Sequence, residues 1–178
     1  YVKFNTRSDD ASETIPSTPS QMEFAKMLKK ELEEFDVKIL ASDISSRALT
    51  VAKENASSLE ADISFVESDL FSNIQDKFDI IVSNPPYIAH DDKKTIKENV
   101  LNYDPHLALF ADEEGMYFYR NIIEKSRPYL NEKGIMFFEI GYDQKEKIIT
   151  LGENNKFKTV VYKDINGRDR IAVLKSQI

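Results

Sequence analysis

The sequence predicts an α/β fold: a doubly wound, mostly parallel sheet extended by a C-terminal antiparallel hairpin. Three observations carry that prediction. Short apolar runs at Val37–Ala41, Ile63–Val66, Phe78–Ser83 and Gly134–Ile140 alternate with stretches whose apolar residues recur at helical spacing. The run Phe78–Ser83 is nearly all apolar, as a strand covered on both faces should be. Near the C-terminus, Asn166-Gly167 separates two β-rich runs, a strong short-range hairpin signal.

Residues 1–21 are expected to be an irregular N-terminal segment, and residues 22–178 the domain proper. Tyr1–Phe4 is the one strand candidate in the first segment; residues 5–20 are polar, carry two prolines and show no periodicity. A helix is expected from Met22 to Phe35, where Phe24, Met27, Leu28, Leu32 and Phe35 share a face. The strand Val37–Ala41 leads to Asp43, and Ser45 or Ser46 then caps a helix through Ala56, read with Ala48, Val51 and Ala52 inward. Ile63–Val66 is a strand ending near Asp69, and Phe78–Ser83 is the next. A long charged segment follows, then a helix over Gly115–Leu130 with Met116, Phe118, Tyr119, Ile122 and Ile123 on one side. The buried strand Gly134–Ile140, a helix over Asp143–Leu151 with Ile148 and Leu151 inward, and the hairpin strands Phe157–Tyr162 and Arg170–Leu174 complete the order.

At 178 residues the chain fits one domain with a genuine core, and its 41% hydrophobic and 31% charged residues are those of an ordinary globular protein. A net charge of −7 argues against an extended nucleic-acid surface, which needs clustered Lys and Arg. With no Cys, thiolate metal sites, disulfides and cysteine nucleophiles are excluded, and with only His90 and His106 no metal centre is expected. No apolar run approaches the roughly 18 residues of a membrane span, and no signal peptide is visible, so a cytoplasmic location is the default expectation.

The most informative stretch is Asn84-Pro85-Pro86-Tyr87, directly after the Phe78–Ser83 strand. Two prolines remove two backbone donors and stiffen the chain, leaving carbonyl oxygens free to accept. Asn84 adds an acceptor and an amide donor pair, and Tyr87 a flat aromatic face with a polar tip. Together they suit a planar group carrying an NH2; as bare turn dipeptides they would mean nothing. In α/β sheets ligands bind beyond the carboxyl ends of strands, and Asp43, Asp69 and Asn84 each sit at or just past such an end. A carboxylate at Asp43 suits a ribose diol; one at Asp69 can accept from an adenine amine, with the Leu70 N–H available to a ring nitrogen. Each Asp taken singly reads better as a cap or turn acid; three polar groups at successive strand ends are harder to dismiss.

These stretches resemble the release-factor glutamine methyltransferases, which use S-adenosylmethionine. The resemblance is carried by Ala41-Ser42-Asp43-Ile44-Ser45, Ala52-Lys53-Glu54-Asn55-Ala56, Ser68-Asp69-Leu70-Phe71, Ile81 through Ile88, Tyr103-Asp104-Pro105, Gly115 through Tyr119, Phe138-Glu139-Ile140-Gly141 and Asp164 through Arg170, in register from residue 37 to about 174. It implies a methyltransferase-type Rossmann-like sheet and methyl transfer to a glutamine side-chain nitrogen in the Gly-Gly-Gln loop of a peptide chain release factor. Asn84, Pro85, Pro86 and Tyr87 would then be catalytic, and Asp43, Ile44, Asp69, Leu70 and Asn84 would bind S-adenosyl-L-methionine. Glu139, at another strand end, is read as structural rather than as a base.

The tetrapeptide alone also fits amino-methyltransferases acting on adenine or guanine, so a nucleic-acid enzyme remains an alternative. The family pattern places a strand and a glycine-rich loop before the Asp43 strand, whereas the first glycine here is Gly115. A catalytically silent interaction domain is the third reading. A sheet without its central strand would leave buried strands unpaired, which favours a disturbed or incomplete N-terminus over a working deletion. The family's separate helical domain that contacts the release factor is not expected within these 178 residues.

Overall fold

Each observed element grows from a local signal, and most lie where the sequence places them. The computed structural model describes residues 37–95 and 106–177. The expected Tyr1–Phe4 strand, the polar stretch 5–20, the Met22–Phe35 helix and the Tyr103-Asp104-Pro105 motif lie outside the described residues. Chain contacts divide the protein into two units, Tyr1–Val66 and Glu67–Ile178.

In the first unit, β1 (Ile39–Asp43) pairs with β2 (Ile63–Glu67) in a two-stranded sheet, joined through α1 (Ser46–Ser58). Of the two candidate caps Ser45 acts: its hydroxyl accepts from the Ala48 N–H at 3.2 Å, satisfying a donor the first helical turn leaves open. The inward face differs from expectation. Leu49 and Ala56 are buried, whereas Ala48 is exposed and Val51 is 51% exposed. Leu49 is the larger apolar group of the stripe 49, 52, 56, and it sets the phase of the helix.

The second unit is built on a four-stranded sheet in the order β3 (Phe78–Ser83), β6 (Leu130–Glu139), β8 (Asp169–Ser176), β7 (Phe157–Lys163). β3 runs parallel to β6, and β8 antiparallel to both β6 and β7. The sheet is therefore mixed, and the C-terminal hairpin places the last strand inside it. Asp164 organises the hairpin turn: one carboxylate oxygen accepts from the N–H groups of Asn166 and Arg168, and Gly167 takes φ +78°. A short parallel pair, β4 (Ile88–Ala89) with β5 (Phe110–Ala111), follows the Asn84 corner.

The core lies under one face of this sheet. Met136 and Phe138 of β6, Phe157 of β7 and Leu174 of β8 pack against Tyr119, Ile122 and Ile123 of α3 (Tyr117–Lys125) and Ile148 of α4 (Lys145–Asn154). Before α3 in the chain, α2 is the single turn His106–Leu109. Helix α3 is shorter than the expected Gly115–Leu130. Pro128 cannot donate to a helical carbonyl and clashes with the preceding turn, so Arg127–Tyr129 tightens to a 3-10 turn and Leu130 already belongs to β6.

β3 departs from the expectation of a strand covered on both faces. Ile81 packs on the core, but Ile80 is 56% and Val82 74% exposed. Successive strand residues point to opposite faces, and α3 and α4 cover only the Ile81 side. Among the described residues no helix is long and apolar enough to cross a membrane.

Candidate active site

Asn84-Pro85-Pro86-Tyr87 is pinned at both ends by sheet pairing. Ser83 pairs with Phe138, and Ile88, just past the corner, pairs with Phe110. Between these anchors Asn84 is exposed, Pro85 is buried, and Pro86 and Tyr87 are half-buried. The four residues line a shallow hollow of about 150 Å³ together with Ile88, Ala108 and Leu109. Its lining thus combines the polar groups of Asn84 and Tyr87 with the apolar Pro85, Pro86, Ile88, Ala108 and Leu109.

Tyr87 is fixed from behind. Its hydroxyl lies 3.3 Å from the Glu139 carboxylate, to which it donates, and accepts from Arg170 at 3.4 Å. Arg170 also donates to the Ile140 carbonyl at 3.1 Å, while its guanidinium lies 3.8 Å from Glu139 and 3.9 Å from Asp164. Tyr119 donates to the Glu139 carbonyl at 2.7 Å. Glu139, at the end of β6, is thereby held to the corner by its side chain and to α3 by its backbone.

Burial, then the negative charge of Glu139, pushes the Tyr87 phenol above its ordinary value; burial likewise raises Tyr119, with Tyr87 and Glu139 adding to it. Both values lie above the unfolded-state 10.0, so on raising the pH the unfolded chain loses these protons first. Their contribution to stability is intact below about pH 10 and falls as the pH rises beyond it. Urea unfolding between pH 8 and 11 is expected to show this loss. Tyr119→Phe should cost roughly 1 kcal/mol at pH 8 through the lost hydrogen bond, with a shallower alkaline decline than wild type. An unchanged alkaline slope in that variant would place the effect elsewhere.

The Tyr87 carbonyl is gripped as well. Gln144, 4% exposed, donates from Nε2 to the carbonyls of Tyr87 at 3.1 Å and Gly115 at 3.4 Å, while its Oε1 accepts from the Gly141 N–H at 2.9 Å. Gly115 ends a left-handed turn over Asp112–Gly115 in which Glu113 and Glu114 have φ of 56° and 53°. Left-handed backbone costs a non-glycine residue roughly 1–2 kcal/mol and persists where surroundings enforce it. Here Glu113 is paired with Arg120 and Glu114 with Lys147, and the hydrogen bonds from those cations hold both carboxyls below the usual range.

Asp69 and Leu70 occupy the turn after β2. Leu70 has φ +49°, unusual for a bulky residue, and Ser68 holds it: the buried Ser68 hydroxyl donates to the Leu70 carbonyl at 2.9 Å and accepts from the Asn73 N–H at 3.0 Å. The side chain of Leu70 packs on the core, and Asp69 stays exposed. Neither lines the Asn84 hollow. Asp43 and Ile44 belong to the first unit, both exposed; one Asp43 oxygen accepts from the Ser45 N–H at 2.7 Å.

Sequence reasoning missed Gln144, Gly115 as a packing site, and Arg170 as a site residue. Gly115 left a signal as the first glycine of the chain and Arg170 as the end of the Asp164–Arg170 stretch, whereas Gln144 left none.

A model of the methyltransferase small domain matches residues 24–107. The release factor glutamine methyltransferase of Lactococcus lactis subsp. lactis (strain IL1403) is 40% identical over 139 residues, covering 77% of this chain and 52% of the relative. That of Streptococcus pneumoniae (strain ATCC BAA-255 / R6) is 42% identical over 141 residues, 78% of this chain and 50% of its own. The chain spans about half the length of these curated relatives. A crystal structure of a methyltransferase from Pyrococcus furiosus superposes with a TM-score of 0.63 at 16% identity, over 86% of this chain and 70% of that one, a likeness of fold alone. Over the region it shares with these relatives, the chain is similar to the release factor glutamine methyltransferases, and it has the α/β fold of a methyltransferase.

Proposed function

We propose that this chain carries the catalytic domain, over residues 22–178 after an irregular 1–21 segment, of a cytoplasmic S-adenosylmethionine-dependent protein glutamine N-methyltransferase. Its substrate would be the Gly-Gly-Gln loop of a peptide chain release factor. The observation that carries this reading is the Asn84–Tyr87 corner, open to a hollow and fixed behind by Glu139, Arg170 and Gln144.

A side-chain amide nitrogen is a poor nucleophile because its lone pair is delocalised into the carbonyl. The Asn84 side-chain oxygen and the Pro85 carbonyl are suited to accept from its two N–H bonds, aiming the nitrogen and favouring the transition state as positive charge develops. Tyr87 provides a flat wall against the amide plane and helps exclude water. No strong general base is required, since the alkylated nitrogen loses its proton readily; positioning supplies the rate. Glu139 is accordingly assigned to orienting Tyr87.

The donor set suits the cofactor. Carboxylates such as the exposed Asp43 and Asp69 can accept from ribose hydroxyls and an adenine amine, with Ile44 and Leu70 next to them in sequence. When bound, S-adenosyl-L-methionine would supply an electrophilic methyl on sulfonium. Methyl incorporation from labelled cofactor into a Gly-Gly-Gln peptide and a release factor, read by mass spectrometry at the glutamine, tests the proposal. Cofactor binding without incorporation into either would defeat it.

The lack of any glycine before Gly115 favours a second reading, a cofactor-free interaction module. Calorimetry with S-adenosylmethionine separates the two: clear binding rejects the module.

A further inference from the structure

We propose that Gln144 is the positioning residue of the acceptor corner, setting the Tyr87 peptide through its carboxamide donors. This inference rests on the proposed glutamine chemistry. Pro85 and Pro86 have no N–H, so the corner offers nothing for a neighbouring acceptor to grip between Asn84 and Tyr87. Its orientation must be imposed from its ends. At one end the β3–β6 ladder holds Ser83. At the other the Tyr87 peptide is reached through its carbonyl, and the group that reaches it is Gln144 Nε2.

Gln144 meets the main chain of three separate segments: the Gly141 N–H after β6, the Tyr87 carbonyl in the corner and the Gly115 carbonyl before α3. Only a carboxamide offers an acceptor and two donors in one plane, which is what this set of partners requires. The side chain is itself braced, because the Gln144 N–H donates to the Gly141 carbonyl at 3.1 Å while Oε1 accepts from the same residue's N–H. Two glycines leave the space. A Cβ on Gly115 would stand 2.7 Å from Nε2 and 2.1 Å from the Tyr87 oxygen, and one on Gly141 would stand 3.0 Å from Oε1. The left-handed turn over Asp112–Gly115, with its two non-glycine residues at positive φ, delivers the second carbonyl to the same donor.

Gln144→Glu keeps the size and the acceptor for Gly141 but loses the donors while ionised. Burial against two carbonyls raises the pKa of such a carboxyl, and once protonated it can donate to Tyr87 again. Gln144→Leu keeps bulk and never donates. The titratable groups on the segments that Gln144 bridges are Asp143 beside it, Glu113 and Glu114 with Arg120 and Lys147, and the Tyr87 phenol with Glu139 and Arg170. Wild type carries all of them, so comparison with wild type at each pH removes their titration.

In methyl transfer to a Gly-Gly-Gln peptide at pH 8, both variants are expected to lose about 10- to 100-fold in kcat, the scale of a misplaced acceptor, with the KM for S-adenosylmethionine unchanged. At pH 6 the Glu variant should recover most of the wild-type kcat and the Leu variant none. Wild-type kcat in the Leu variant overturns the inference, as does a Glu variant that stays impaired at pH 6. Failure of wild type itself to methylate both the peptide and a release factor defeats the functional reading and leaves the inference to a second measurement. Amide hydrogen exchange at Tyr87, Ile88 and Ala89 should be faster than wild type at pH 8 in both variants, and should return to the wild-type rate at pH 6 in the Glu variant only. Equal protection of all three proteins at pH 8 overturns it whatever the activity; a variant that does not fold at pH 8 is read at pH 6, where the Glu protein must match wild type.

Discussion

Asn84→Ala is expected to lower kcat for a Gly-Gly-Gln peptide by about 10²- to 10³-fold while the protein stays folded. The two halves of that expectation have separate grounds. Asn84 is exposed at the end of β3, so its truncation opens no cavity, and a surface substitution of that kind changes stability by roughly 0.5 kcal/mol or less. In the proposed chemistry, however, its carboxamide oxygen is the side-chain acceptor for the amide whose charge grows in the transition state, and losing a preorganised partner there acts on kcat rather than on KM. Asn84→Asp keeps an acceptor but removes the amide donors and adds a charge. Steady-state kinetics of both variants with matched melting curves provide the check. A kcat within about twofold of wild type in the Ala variant, a change of under ~0.5 kcal/mol in barrier, would remove Asn84 from the chemistry.

Gly115→Ala carries the second large effect, this time on stability. Gly115 has φ +81°, and an added Cβ would lie 2.1 Å from the Tyr87 carbonyl oxygen, a backbone atom that cannot rotate away. Left-handed strain of roughly 1–2 kcal/mol and overpacking of roughly 1–3 kcal/mol together predict a loss of about 2–5 kcal/mol. That is a large fraction of the roughly 5–15 kcal/mol that holds a typical domain folded. Gly167→Ala is the internal control: its φ is +78° with nothing within 4 Å of the added carbon, so it bears the strain alone. Denaturant unfolding of the pair should show the Gly115 variant as the less stable by the packing contribution. Equal losses would mean that the corner moves aside at no cost.

How much of this was legible in the sequence depends on the range of the interaction. Strand and helix periodicity is local, and it located β1, β2, β3, α3, α4 and the hairpin within a few residues. The Ser45 cap and the Asp164 turn are local too, since donor and acceptor sit within four residues of each other. The phase of α1 was misread because Ala48, Val51 and Ala52 form as plausible a stripe as the one Leu49 sets. Coverage of β3 was misread because an apolar run reports what a strand could bury, and Ile80 and Val82 are left largely exposed. Within the site, Asn84 to Tyr87 announced itself by unusual composition. Gln144 did not: it lies 57 residues from Tyr87, its partners are all main-chain atoms, and a lone Gln before a helix has no sequence signature. Arg170 stood in the quoted Asp164–Arg170 stretch, but nothing local tied it to the corner, because it lies 83 residues from the phenol it reaches.

The order of strands in the sheet has a consequence for how the site comes into being during synthesis. β8 is made after β7 yet lies between β7 and β6, so the nascent chain cannot close the sheet until residue 176 has left the ribosome. The hairpin is local and can form as soon as its turn emerges; the β6–β8 pairing spans the intervening helix and must wait. Arg170 travels on that last strand. Until it docks, the Tyr87 hydroxyl lacks the Arg170 donor and Glu139 lacks that guanidinium, so the geometry of the proposed acceptor corner is among the final things to be completed.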